Sequence, residues 1–155
     1  MEIREDQRLD FHLTEVLTGN RRFENAAQSI SRMIEEKGVE EIVRHGQGMY
    51  DFKFFREGKR HIIGWYEDLY TLVTFIRDAA VGGSSREFAF VFVGEAGNGK
   101  TFCVEYIISR YRRFLNQPQN KRYTFNFVGL DKLGKYGKFH TIQSQTFEDP
   151  LILAM

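Results

Sequence analysis

One cysteine, Cys103, and two prolines are all that the 155 residues hold of either type. A lone thiol excludes an internal disulfide framework and suits a reducing compartment. Long apolar runs are missing too. Nothing approaches the ~20 residues that a membrane helix needs, and the charged start Met1-Glu2-Ile3-Arg4-Glu5-Asp6 does not have the form of a secretory leader. The expectation is a cytoplasmic protein without a membrane partner. There is little charge of one sign: the formal net charge is +1, so no global field draws in nucleic acid or an anionic surface. Histidines are few, and His12, His45, His61 and His140 lack the paired spacing of a zinc site.

What the chain has in quantity is aromatic carbon, with fifteen Phe and seven Tyr. Such side chains bury large areas. Hydrophobic residues at 42% and charged residues at 28% place it among globular sequences, and its length suits one ordinary domain with a core.

The most specific stretch is Gly94-Glu95-Ala96-Gly97-Asn98-Gly99-Lys100-Thr101. It reads G-x-x-x-x-G-K-T, the pattern of a phosphate-binding loop. Phe88-Ala89-Phe90-Val91-Phe92-Val93 precedes it, apolar and of the length of a buried strand. Phe102, Tyr106 and Ile107 follow at helical spacing, predicting a helix to about Leu115. The chemistry of such a loop is backbone chemistry. Glycines let consecutive N–H groups close around an anion, and the helix start adds unpaired N–H groups and its positive dipole end. Lys100 is placed against the β- and γ-phosphates of a nucleotide, and the Thr101 hydroxyl on Mg²⁺, which takes few protein ligands. Gly94, Glu95, Ala96, Gly97, Asn98, Gly99 and Phe102 complete the cradle. A glycine-rich turn that binds nothing would share these letters.

Elsewhere the periodicity predicts a helix over Leu9–Leu17, with Leu9, Leu13, Val16 and Leu17 on one core-facing side, and a second over about Arg22–Lys37, stopped by Gly38. Glu40 to Val43 predicts a short helix, Gly46-Gln47-Gly48 a loop, and Met49 to Phe55 a short extended piece. A third helix is expected from about Trp65 to Ala80, then a connector through Gly82-Gly83-Ser84-Ser85. Tyr123 to Val128 alternates as a strand, which with the strand before the loop would make a right-handed βαβ unit. Gly129 to Gly137 is a loop, His140 to Gln143 a short strand, and Phe147 to Leu153 begins an apolar element. The apolar close on Leu151-Ile152-Leu153-Ala154-Met155 raises the expectation of a fragment of a longer protein. The fold class expected is α/β: an incomplete parallel-sheet P-loop core over 61–155, behind a helical extension over 1–60.

Taken together, these residues resemble the AAA+ ATPase class. Ile62-Ile63-Gly64, followed by a helix, a connector and the phosphate loop, is similar to that class's adenine-side motif; the likeness implies that Ile62, Ile63 and Gly64 pack on adenine, although Ile62 and Ile63 are equally suited to a plain core. A narrower likeness is to the N-terminal AAA domain of the PrkA-type serine protein kinases, along most of the chain. It is carried by the two early helices, Tyr50-Asp51-Phe52-Lys53-Phe54-Phe55, Ile76-Arg77-Asp78-Ala79-Ala80 before the loop, Tyr123-Thr124-Phe125, and Glu148-Asp149-Pro150-Leu151. This resemblance implies ATP and Mg²⁺ as cofactors, a self-assembled oligomer in the full-length protein, and hydrolysis that drives or regulates an attached domain. The chain departs from the pattern at Gly97-Asn98, where the family carries more Gly or Ser. It also stops before the acidic pair, the polar sensor and the trans-acting arginine would be reached. Asp131 mimics the acidic position but follows Lys100 too soon, and reads better as a loop cap.

Lys121, Arg122, Lys132, Lys135 and Lys138, interleaved with Tyr123, Tyr136 and Phe139, form a local basic cluster that could touch nucleic acid or be a solvated loop. Two further readings stay open: a module that holds nucleotide without turning it over, and a small-molecule P-loop kinase. The ~90 residues before the loop weigh against the kinase.

Overall fold

The computed structural model describes residues 7–132, 140–146 and 149–154. Contacts divide the chain into two units, Glu24–Phe114 and Met1–Phe23 with Leu115–Met155. Each is described by itself.

In the unit of 24–114, helix α2 spans Ala26–Glu35. It starts later than the hydrophobic spacing predicts because Asn25 caps it. The Asn25 side chain accepts the Gln28 N–H, and the Gln28 side chain accepts the Asn25 N–H, both at 2.8 Å. This reciprocal capping satisfies two otherwise orphaned donors. Met33 and Ile34 are its buried apolar residues. At Gly38, φ is +95°, a left-handed conformation that turns the chain out of the helix.

A β-hairpin follows where a short helix and a loop are expected. β1, Val39–Arg44, pairs antiparallel with β2, Gln47–Phe52, in the register Val39↔Phe52, Ile42↔Met49 and Arg44↔Gln47. Val39-Glu40-Glu41-Ile42-Val43 has no clear period, so local pattern does not choose its state. The turn chooses it: His45 and Gly46 both have positive φ, +50° and +76°, as a tight two-residue hairpin turn requires. β2 delivers Phe52 into the core, and a single 3-10 turn, Lys53–Arg56, adds Phe54 and Phe55. The ring of Phe55 meets those of Phe52 and Phe54 edge-on. Helix α3, Tyr66–Ala80, covers this cluster with Leu69, Leu72 and Val73. Helix α4, Lys100–Leu115, contributes Cys103, Tyr106 and Phe114 to the core.

In the other unit, α1 spans Leu9–Leu17 as predicted, but its buried residue is His12; Leu9 and Leu17 are exposed. His12 lies against the Tyr123 ring at 5.3 Å, with Arg21 at its Nδ1 and the Asp149 carboxylate 3.5 Å from its Nε2. β3, Asn126–Val128, pairs antiparallel with β4, Thr141–Gln143. A 3-10 turn, Pro150–Ala154, ends the described chain. The expected loop beyond Lys132, the cluster members Lys135, Tyr136, Lys138 and Phe139, and Phe147-Glu148 lie outside the described residues.

The parallel-sheet P-loop core is therefore corrected. Among the described residues the strands form two separate two-stranded antiparallel sheets, β1–β2 and β3–β4. Phe88–Val93 pairs with neither, and there is no βαβ unit. The segment contacts neighbours through alternate rings: Phe90 meets Phe75 at 5.4 Å and Phe92 meets Trp65 at 6.3 Å. Phe88, Val91 and Val93 stay exposed. Apolar content made this run resemble a strand covered on both faces, but such a strand needs neighbours on both edges. The alternating strand at 123–128 shortens to β3 and takes a partner nearby in sequence, where loop closure costs least entropy.

Candidate functional site

The Gly94–Thr101 stretch stands at the N-terminal edge of α4, the helix half of the expected strand–loop–helix context; the strand expected before it is not formed. The helix begins at Lys100, and its first backbone bond runs from the Cys103 N–H to the Gly99 carbonyl at 2.9 Å. Gly94, Gly97 and Gly99 have φ of +155°, +86° and +79°. A side chain at any of the three would strain the backbone, so the glycine spacing is a conformational requirement here. Glu95, Ala96, Asn98 and Thr101 are exposed along the loop and first turn.

Lys100 folds back over its own loop. Its Nζ donates to the Gly94 carbonyl at 2.8 Å and to the Glu95 carbonyl at 2.5 Å. The ammonium thus stands among loop backbone groups, the position from which it could exchange carbonyl oxygens for phosphate oxygens. Three glycines that leave the backbone uncovered, the free N–H groups of a helix start and one ammonium suit an oxyanion. Thr101 is the residue present for Mg²⁺. Among the described residues no group of three or more His, Cys, Asp or Glu gathers as a metal cage, an arrangement that a phosphate-held Mg²⁺ does not need.

The buried side of α4 fixes the loop to the unit's core. The Tyr106 hydroxyl bonds the Phe54 carbonyl at 2.7 Å and the Glu57 carbonyl at 3.0 Å. Arg110 donates to Glu57 O at 2.6 Å and lies 3.5 Å from the Tyr106 ring centroid. Burial pushes the Tyr106 phenol up from its ordinary value. Cys103 is also buried, which raises its thiol from 9.0 to about 11. At neutral pH it is a small protonated core residue; burial outweighs the pull of the helix start.

The approach to the loop is anchored by Asp78. Its carboxylate accepts the Ser85 N–H at 2.9 Å, and this bond holds it below the usual carboxylate range. Gly83 lies so close to the same carboxylate that an added Cβ would come within 2.1 Å of Oδ1.

The three residues expected beside adenine separate. Ile62 is buried in the core, Ile63 is 80% exposed, and Gly64 turns the chain with φ of +70°. The side chain brought to the loop from this segment is Trp65, which sequence reasoning passed over. A Cβ on Gly99 would lie 3.8 Å from Trp65 Cζ2. Arg56 braces the segment. Its Nη1 donates to the Ile62 carbonyl at 2.5 Å and the Gly64 carbonyl at 3.2 Å, and its Nη2 meets Asp51 at 2.8 Å. Phe102 is half-buried between Tyr106 and Arg60, whose guanidinium lies 5.6 Å from its ring. The one signal for Trp65 in the sequence was its place, next to a glycine in the segment singled out for the base.

Asp131 lies in the other unit, in the turn Leu130–Lys132, and its carboxylate meets His140 Nδ1 at 3.1 Å. This contact joins that turn to the residue before β4. Among the described residues, no helix is long and apolar enough to cross a membrane. No family profile, curated protein or solved structure matches the chain.

Proposed function

We propose that the chain binds the triphosphate of ATP, together with Mg²⁺, at Gly94–Thr101. The supporting observation is the eight-residue pattern standing at the start of a 16-residue helix, with its glycines at 94, 97 and 99 all at positive φ. On this reading the loop N–H groups and Lys100 hold phosphate oxygens, and the Thr101 hydroxyl holds the metal. Bound Mg²⁺ would neutralise charge between phosphates; this chain's own residues supply position and electrostatics. The likeness to the AAA domain of PrkA-type serine protein kinases belongs to the proposal as well. It rests on the loop and on the order of the short segments around it, and a parallel sheet is no part of it. Hydrolysis, self-assembly and a regulated partner domain follow only for a full-length protein of that kind.

A second reading is a nucleotide-binding regulatory or scaffold module without turnover. Neither β3 nor β4 carries a carboxylate, so neither strand described after Lys100 offers the acidic pair that activates water. Phosphate release by the purified chain would count against this reading.

Equilibrium dialysis with labelled ATP and Mg²⁺ tests the shared core of both. Lys100→Ala removes a charge-assisted contact of about 1.5–3 kcal/mol, an expected loss of about ten- to a hundredfold in affinity. Equal binding by the wild type and the variant would remove Lys100 from the site and the proposal with it.

A further inference from the structure

We infer that Trp65 is the surface on which the base of the bound nucleotide stacks; this rests on the reading of Gly94–Thr101 as a triphosphate site. Four observations lead there. Cζ2 of the indole lies 3.8 Å from the position of a Cβ on Gly99, so the ring borders the residue immediately before Lys100. The ring is only half-buried, which leaves area for a ligand. Of the two isoleucines before it, Ile62 is committed to the core and Ile63 is 80% exposed. The indole is also held in place: Phe92 packs at 6.3 Å, and Arg56 binds the carbonyls of Ile62 and Gly64, with Asp51 fixing the guanidinium.

A planar indole offers a base its π-face, and stacking of this kind is strong and tolerant of base identity. A phosphate group has no such face. Trp65 therefore separates nucleotides from bare polyphosphates, whereas the glycine loop and Lys100 serve both. Arg56 is a positioning residue here, acting through two backbone carbonyls.

Trp65 is the chain's only tryptophan, so intrinsic fluorescence reports on it alone. ATP and inorganic tripolyphosphate, each with Mg²⁺, are titrated by calorimetry and by fluorescence against wild type, Trp65→Gly and Trp65→Phe. Glycine suits the backbone there, where φ is +57°, so the ring is removed without strain. The expected result is quenching by ATP and a roughly tenfold loss of ATP affinity in Trp65→Gly, with tripolyphosphate affinity held within about twofold. Trp65→Phe keeps a ring and should retain most of the ATP affinity. Equal losses for the two ligands in Trp65→Gly, no loss for either, or a Phe variant as weak as the Gly variant would each overturn the stacking role while leaving the triphosphate site in place. Failure of both ligands to bind the wild type would remove the site and this inference together.

Discussion

Tyr106 carries more of the link between α4 and the aromatic cluster than any periodicity discloses. Its single O–H is shared between two carbonyls, and Arg110 also serves Glu57 O. Tyr106→Phe therefore orphans one buried acceptor, the Phe54 carbonyl. A loss of about 1–3 kcal/mol is expected, measured by urea unfolding; a stability unchanged within error would show that water reaches that carbonyl. Cys103, one turn away, gives a pH-dependent test. Its thiol sits at about 11 in the fold against an ordinary 9.0. Between those values the unfolded chain has released the proton and the folded chain still holds it, so stability falls as pH rises from about 9 towards 11. One proton gives a slope of at most about 1.4 kcal/mol per pH unit. Cys103→Ala lacks this term, so the stability gap between wild type and variant should narrow over that range. A gap independent of pH would contradict the assignment of Cys103 to the core.

Helices were legible in the sequence; strands were legible in part, since the predicted pieces at 123–128 and 140–143 hold β3 and β4, but their antiparallel pairing was not. α3 and α4 fall where 3.6-residue spacing puts them, because at 15 and 16 residues each is long enough for the period to emerge; the nine-residue α1 has the expected bounds but not the expected buried side, which carries His12 while Leu9 and Leu17 are exposed. The end of α2 was legible in Gly38; its start depends on Asn25 and Gln28 bonding each other, a reciprocity that spacing does not reveal. The β1–β2 hairpin was hidden because its turn carries His45 rather than the usual Asn or Asp before glycine. Phe88–Val93 failed in the opposite way: its composition suits a buried strand, but strand formation depends on partners elsewhere in the chain. At the site, the loop and the helix start were legible as a fixed string of letters. Trp65 and Arg56 were not, since their roles come from a close approach across some 35 residues and from backbone carbonyls. The connector into the loop offers a test at this scale. Gly83 has φ of −68°, which any residue adopts, so its need for glycine is steric, set by the Asp78 carboxylate. Gly83→Ala should cost about 1–3 kcal/mol through overpacking. Adding Asp78→Ala should recover the steric part, making the pair non-additive in a thermal melt. Simple additivity would place the two apart in solution.

Over the whole molecule, the residues proposed to meet nucleotide all lie in one unit. Trp65 and Gly94–Thr101 belong to 24–114, as do Arg56 and the aromatic cluster behind α4, whereas the basic segment near 121–132 and the His12–Tyr123 contact belong to the other. With a net charge of +1, the proposed selection of an anionic ligand would depend on this local arrangement of amides and one lysine rather than on a long-range field. The loop is followed by α4 and preceded by the 88–93 segment, which pairs with no strand among the described residues. Two-dimensional amide NMR of the isotopically labelled protein, titrated with Mg²⁺ and a non-hydrolysable ATP analogue, addresses this claim directly. The account predicts that the largest shift changes fall on the N–H groups of Gly94 to Thr101, with the Trp65 indole N–H next, and that Lys100→Ala needs about ten- to a hundredfold more ligand to reach them. An unmoved spectrum, or changes concentrated on residues outside that loop, would contradict it.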